Sequence, residues 1–263
     1  MTSALDSPSR PNRVPRIVFL YWVIKIASTT LGETGADMFS MTFDLGYGVT
    51  ISIFLTIFAI LLGIKLAMGR YEAVTYWAAF TASAIAGTAL CDFIDRTLEI
   101  GYATGSLILL ILLLIGLGVW YLIERSLSVE RITTALSEMF YWMAFLIANT
   151  LGTAAGDFVA DDLGAGFRLS AAIFTSLLIV TVLLHYFTKA SGIVLFWVAF
   201  VLTRPFGATF GDFLTKPLDQ GGLDLGTIGA SIFFGLVMFV ALAWEVTHPK
   251  GVVLEAPTVP PAT

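Results

Sequence analysis

Four aspartates in the 263-residue chain stand in matching surroundings. Asp37, Asp92, Asp157 and Asp212 each lie fifteen residues after a tryptophan, and Met38, Phe93, Phe158 or Phe213 follows directly. The tryptophans belong to aromatic pairs, Tyr21-Trp22, Tyr76-Trp77, Tyr141-Trp142 and Phe196-Trp197, spaced by 55, 65 and 55 residues. Glycines recur at plus 10 from each Trp (Gly32, Gly87, Gly152, Gly207) and at plus 24 (Gly46, Gly101, Gly166, Gly221). Carboxylates are hard oxygen donors suited to magnesium, calcium or manganese. Four in equivalent places would form a cation site if the fold gathers them. An aspartate late in a helix also has a structural use, capping a loop by accepting backbone N–H bonds. The spacing alone leaves both readings open.

A helix turns every 3.6 residues, so positions plus 3, 7, 11 and 15 from each Trp share one face. The first repeat places Lys25, Thr29, Glu33 and Asp37 on that row, and the second Phe80, Ala84, Thr88 and Asp92. The third places Phe145, Asn149, Thr153 and Asp157, and the fourth Phe200, Arg204, Ala208 and Asp212. Charges inside a membrane are costly and mark pathways or internal pairs. The row therefore names a candidate pathway of Asp37, Asp92, Asp157, Asp212, Glu33, Thr29, Asn149 and Thr153, the four aspartates doubling as candidate metal ligands. Arg204 is one turn from Glu33 in depth and able to reach it, as a structural bridge or as a gating or proton-coupling pair. Lys25 stands where the other repeats have Phe80, Phe145 and Phe200. These four side chains would form a constriction, unless Lys25 snorkels to the interface.

Helices long enough to cross a bilayer must carry this row. The composition is 57% hydrophobic and 13% charged, against about 25% charged in soluble domains. Apolar runs at 49–68, 103–123, 169–187 and 225–244 approach the roughly 20 residues a membrane span requires. Each repeat reads as a first helix from the Trp to the Asp, a loop rich in Asp and Gly, and an apolar return helix. The expected fold is all-α: eight transmembrane helices as four two-helix repeats of the same orientation, related about an axis along the membrane normal. The long charged linker suggests two halves of two repeats, with pseudo-four-fold symmetry, odd helices inside and even helices facing lipid. The Trp residues would be interfacial anchors, and the small residues near each Asp would let helices approach closely. The expected divisions are an N-terminal arm (1–15), repeats at 16–70, 71–124, 138–189 and 190–247, a linker (125–137) and a disordered tail (248–263).

The repeated Trp, Gly and Asp resemble those of a family of bacterial integral membrane proteins built from four tandem repeats of unknown function. Each repeat of that family holds two transmembrane helices and a characteristic Trp. The resemblance runs from about 16 to 245. It implies the architecture and supplies no activity.

Lys and Arg gather at one set of helix ends: Arg10, Arg13, Arg16, Lys65, Arg70, Arg125, Arg131, Lys189 and Lys250. The other set holds only Arg96, Arg168 and Lys216. The positive-inside rule then puts both termini in the cytoplasm, with a bacterial inner membrane as the location. The outer loops carry Asp44, Asp95, Glu99, Asp161, Asp162, Asp219 and Asp224. No apolar leader segment precedes Arg16, so the first helix is expected to direct insertion. Cys91 is the single cysteine, which excludes an internal disulfide. No Walker, dinucleotide-binding or HExxH pattern is present, and no basic aromatic patch suits nucleic acid. The expected partners are the bilayer and a small solute or ion, with no cofactor beyond a bound divalent cation. The sequence favours a non-enzymatic transporter or channel for a small cation, manganese being one candidate. The alternatives are a structural or sensory protein whose aspartates cap the hairpins, and an anion transporter using Lys25 and Arg204. An intramembrane enzyme pairing Asp37 with Glu33 has no nucleophile to work with.

Overall fold

A computed structural model describes residues 12–129 and 132–248. Most of the expected arm and tail, together with Arg10, Arg131 and Lys250, lies outside them. The described residues form eight long α-helices and no strand: α1 (Phe19–Asp37), α2 (Gly46–Met68), α3 (Ala73–Asp92), α4 (Tyr102–Glu124), α5 (Ala135–Asp157), α6 (Gly166–Phe187), α7 (Gly192–Thr215) and α8 (Thr227–Thr247). Seven are long and apolar enough to cross a membrane. The exception is α1, which carries Lys25, Glu33 and Asp37.

Burial divides the helices into two shells. In α3, α5 and α7 the apolar window is 78, 67 and 56% buried, whereas in α2, α4, α6 and α8 it is 11, 17, 22 and 17% buried. The inner helices close on themselves: α1 packs on α3 and α7, and α5 packs on the same two. Each outer helix lies mainly against one inner helix, α2 on α3, α4 on α5, α6 on α7 and α8 on α1. Small and hydroxylated residues dominate the inner helices because backbones must approach closely there. Leu, Ile and Val dominate the outer faces, where Leu114, Ile115, Leu122 and Phe239 are exposed. Inner helices pack across the two expected halves as well as within them.

The hairpin corners differ from a simple loop. Three inner helices run beyond their Asp into a π-helical turn, Met38–Thr42, Phe93–Thr97 or Phe158–Asp162. Such turns insert an extra residue and often sit at functional sites. The fourth corner has a 3-10 turn at Leu218–Gln220 instead. Pro217 has no N–H to continue a helix, and it holds Lys216 in extended backbone (φ −68°, ψ 152°).

At the other helix ends, Glu72 caps α3. Its Oε1 accepts from the Val74 N–H at 3.0 Å and its Oε2 from the Thr75 N–H at 2.7 Å, and the Thr75 hydroxyl also donates to it. Burial pushes the carboxyl up, but the Thr75 hydroxyl and the two N–H groups outweigh it and hold Glu72 below its usual pKa. A depressed folded pKa adds stability above the unfolded value of about 4.3, which is lost as pH falls through the folded value. We expect Glu72→Ala to cost about 1 kcal/mol at neutral pH. The difference from the parent should shrink as pH drops through the acid range, in unfolding of the detergent-solubilised chain.

Candidate functional site

The inner bundle is set by its glycines. A Cβ at Gly32 would lie 2.6 Å from Ala84 Cβ, one at Gly87 2.9 Å from Asn149 Cβ, one at Gly152 2.3 Å from Arg204 Cγ, and one at Gly207 2.8 Å from Thr29 Oγ1. Each plus-10 glycine thus receives the plus-7 residue of the next inner helix, and the series α1–α3–α5–α7–α1 closes. That close approach turns the row of plus 3, 7, 11 and 15 residues into successive layers of a buried centre.

The plus-3 layer brings together the four side chains expected at the constriction. Lys25 is 1% exposed and does not snorkel. Its Nζ lies 3.6 Å from the Phe200 ring centroid, 4.9 Å from Phe80 and 5.3 Å from Phe145. Among the described residues no carboxylate is within ion-pair distance of it. Aromatic faces are negative, which favours an ammonium in such a cage.

Arg204 ties the plus-7 layer. Its guanidinium donates to the backbone carbonyls of Thr29 (2.6 Å), Asn149 (3.2 Å) and Ala84 (3.3 Å), the plus-7 residues of the other three inner helices. It also donates to the Thr153 hydroxyl at 2.9 Å and to that of Thr88. A guanidinium offers five fixed donors, so one side chain can reach all three neighbours. The expected pairing with Glu33 is present at 3.5 Å. In the plus-11 layer, Thr88 and Thr153 donate to Glu33 Oε2 at 3.2 and 3.4 Å. Asn149 faces the same interior, donating to Ser83 Oγ at 3.1 Å. The centre is therefore filled by side chains at plus 3 and plus 7.

The four aspartates form the plus-15 layer, each 2–3% exposed. Asp37, Asp92 and Asp157 precede their π turns without a side-chain capping bond. Cations of the next turn, at plus 19, meet three of them instead. Lys216 Nζ spans Asp37 Oδ2 at 2.9 Å and Asp212 Oδ1 at 3.2 Å, and Arg96 Nε lies 3.2 Å from Asp92 Oδ1. Burial alone would lower the Lys216 pKa, but Asp212 and Asp37 raise it above the ordinary lysine value, so the group is an ammonium. Among the described residues Asp157 has no such partner, and plus 19 of its repeat is Asp161, in the π turn. Among the described residues Asp92 Oδ2 and Asp157 Oδ1 are buried without a hydrogen-bond donor, whereas Asp212 Oδ1 has the Lys216 ammonium at 3.2 Å. No group of three or more His, Cys, Asp or Glu among the described residues is placed to hold one metal ion.

Lys216 and Arg96 entered the sequence reading only as loop charges. The signal was available, since both extend the same row by one turn. A second polar cluster at the opposite end was also missed. Lys65, expected near solvent, is fully buried and lies 3.5 Å from Glu138, which Arg13 meets at 2.9 Å. Glu245 accepts from Trp77 Nε1 at 3.0 Å and from the Tyr71 hydroxyl. The expectation that the repeat Trp residues anchor at lipid headgroups is corrected for three of the four: Trp77 and Trp142 are fully buried and Trp197 is nearly so. They pack with Tyr76, Tyr141, Phe80, Phe145 and Phe200 into one aromatic cluster, while Trp22 is half-buried.

These features define an all-helical protein of the membrane-spanning kind, assembled from repeated two-helix units around a polar four-helix centre. The chain belongs to the family defined by the Repeat of Unknown Function (DUF347), which matches four times, over residues 20–71, 75–126, 140–191 and 195–247. Comparison with curated proteins and with solved structures gives no match.

Proposed function

We propose that the chain is a non-enzymatic membrane transporter for a small cation, which enters at the four-aspartate end of the inner bundle. The carrying observation is the unbalanced charge there. Four buried carboxylates share two built-in cations, Lys216 and Arg96, and among the described residues Asp92 Oδ2 and Asp157 Oδ1 have no donor. Buried carboxylates persist only with a cation, a proton or water to offset them. Glu33, one layer deeper, continues the acidic route until Arg204 and the cage of Phe80, Phe145, Phe200 and Lys25 close it. These two layers are the gate on this reading, and passage requires them to move. All four repeats share one orientation, the eighth span being α1, whose polar residues turn inward. The excess of Lys and Arg at the opposite helix ends supports a bacterial inner membrane with both termini in the cytoplasm.

A second reading has its own observation. The filled plus-3 and plus-7 layers suit a structural or sensory protein in which Arg204 ties the bundle. Proteoliposome flux separates the two. The intact chain should move a small cation, with Mn2+ and organic amines as the probes. The Asp157→Asn, Asp212→Asn double variant should lose at least about tenfold of that flux, as expected when polar groups made for a charged ligand are removed. Equal flux from both proteins, or none from the intact chain, overturns transport and leaves the structural reading.

A further inference from the structure

The aspartate layer is half occupied by the protein's own ammonium. Lys216 places one nitrogen between Asp37 of α1 and Asp212 of α7, at 2.9 and 3.2 Å. Those helices are neighbours in the closed inner ring, as are α3 and α5. The pair facing them across the ring is therefore Asp92 and Asp157. It differs from the first pair in a definite way. Asp92 uses one oxygen for Arg96, and its Oδ2 has no donor. Asp157 meets no cation within ion-pair distance among the described residues, and its Oδ1 is buried without a donor. No cation of the next turn serves Asp157, because plus 19 of its repeat is Asp161, where the second and fourth repeats have Arg96 and Lys216.

Resting on the transport reading, we infer that Asp92 and Asp157 form the binding site for the solute's cationic head, and that this head is an ammonium of an organic amine. The bridge made by Lys216 supplies the template. A primary ammonium carries three donors and is satisfied by a few acceptors near 3 Å, which is what two adjacent plus-15 carboxylates provide. Magnesium and calcium need six or more oxygens at roughly 2.0–2.6 Å, and no described group of three carboxylates approaches that arrangement. The cage farther along the axis agrees with the same chemistry. There Phe80, Phe145 and Phe200 surround the Lys25 nitrogen, and such aromatic faces suit the cationic head of an amine. Lys216 on this account is the resident counterpart of the solute, occupying the Asp37–Asp212 pair while the Asp92–Asp157 pair is loaded.

Equilibrium binding to the full detergent-solubilised chain tests this, with ethylammonium and 1,4-diaminobutane as probes and Mn2+ as the competitor. One amine should bind per chain, and Asp157→Asn or Asp92→Asn should weaken it at least about tenfold while the helical circular dichroism stays that of the parent. Lys216→Gln should uncover the equivalent pair and raise the stoichiometry to two. Amine binding that Asp157→Asn leaves unchanged overturns the inference, as does a stoichiometry that stays at one in Lys216→Gln. Binding of Mn2+ that depends on Asp157 but yields to no amine removes the amine class and keeps cation transport. Absence of binding by every probe removes both.

Discussion

Replacing Arg204 with methionine should lower the stability of the folded chain by about 3–5 kcal/mol, the range for removing one partner of a buried pair. Methionine retains much of the length and none of the donors. The guanidinium is 1% exposed and bonds to carbonyls on all three other inner helices as well as to Thr88, Thr153 and Glu33. Those carbonyls have helix partners of their own, so their loss is moderate. The larger cost comes from Glu33, left with only two threonine hydroxyls inside the bundle. Adding Glu33→Gln should recover part of the loss, because the uncompensated charge is then gone. Unfolding of the single and double variants in mixed micelles measures this. A double variant as unstable as Arg204→Met alone would show that the carbonyl bonds dominate.

Gly152→Val should do comparable damage by a different route. Even one added carbon at Gly152 would meet Arg204 Cγ at 2.3 Å, Arg204 Cβ at 2.4 Å and Pro205 Cδ at 3.0 Å. These atoms sit near the α7 backbone and cannot swing away as a flexible tip would. The helices must separate, and separation stretches the bonds from Arg204 to the other three inner helices. Overpacking alone costs about 1–3 kcal/mol, and the lost Arg204 contacts add to it, so a loss above about 3 kcal/mol is expected. Gly118→Ala on α4 is the comparison. Nothing lies within 4 Å of its added carbon, so its stability should stay close to that of the parent or rise by up to about 1 kcal/mol through helix propensity. Equal losses in the two variants would refute the ring of glycine contacts.

Much of the inner bundle is readable from period alone. A 3.6-residue turn puts plus 3, 7, 11 and 15 on one line whatever the surroundings, which is why Lys25 and the three phenylalanines, and Arg204 and Glu33, could be paired in advance. The same row continued to plus 19 would have reached Lys216 and Arg96. Nothing in local composition announces that the helices continue past the aspartate, by a π turn at Phe93–Thr97 or by the last residues of α7 before Lys216. Lys65 and Glu138 were not legible as partners. They come from helices far apart in sequence, and a lysine near a helix end ordinarily reaches water. The tryptophans differ for a similar reason: their preference for lipid interfaces is an average over exposed helices, and each inner helix packs mainly against two other inner helices and one outer helix.

By itself the sequence determined the repeat, the count of helices and the face of each inner helix that carries polar groups, since periodicity and apolar length are local properties of the chain. Only the tertiary structure decided which carboxylates keep a free oxygen. That depends on which plus-19 cations come within about 3 Å: Arg96 and Lys216 reach the aspartates of their own repeats, and Lys216 also reaches Asp37 because the glycines let the inner helices pack closely.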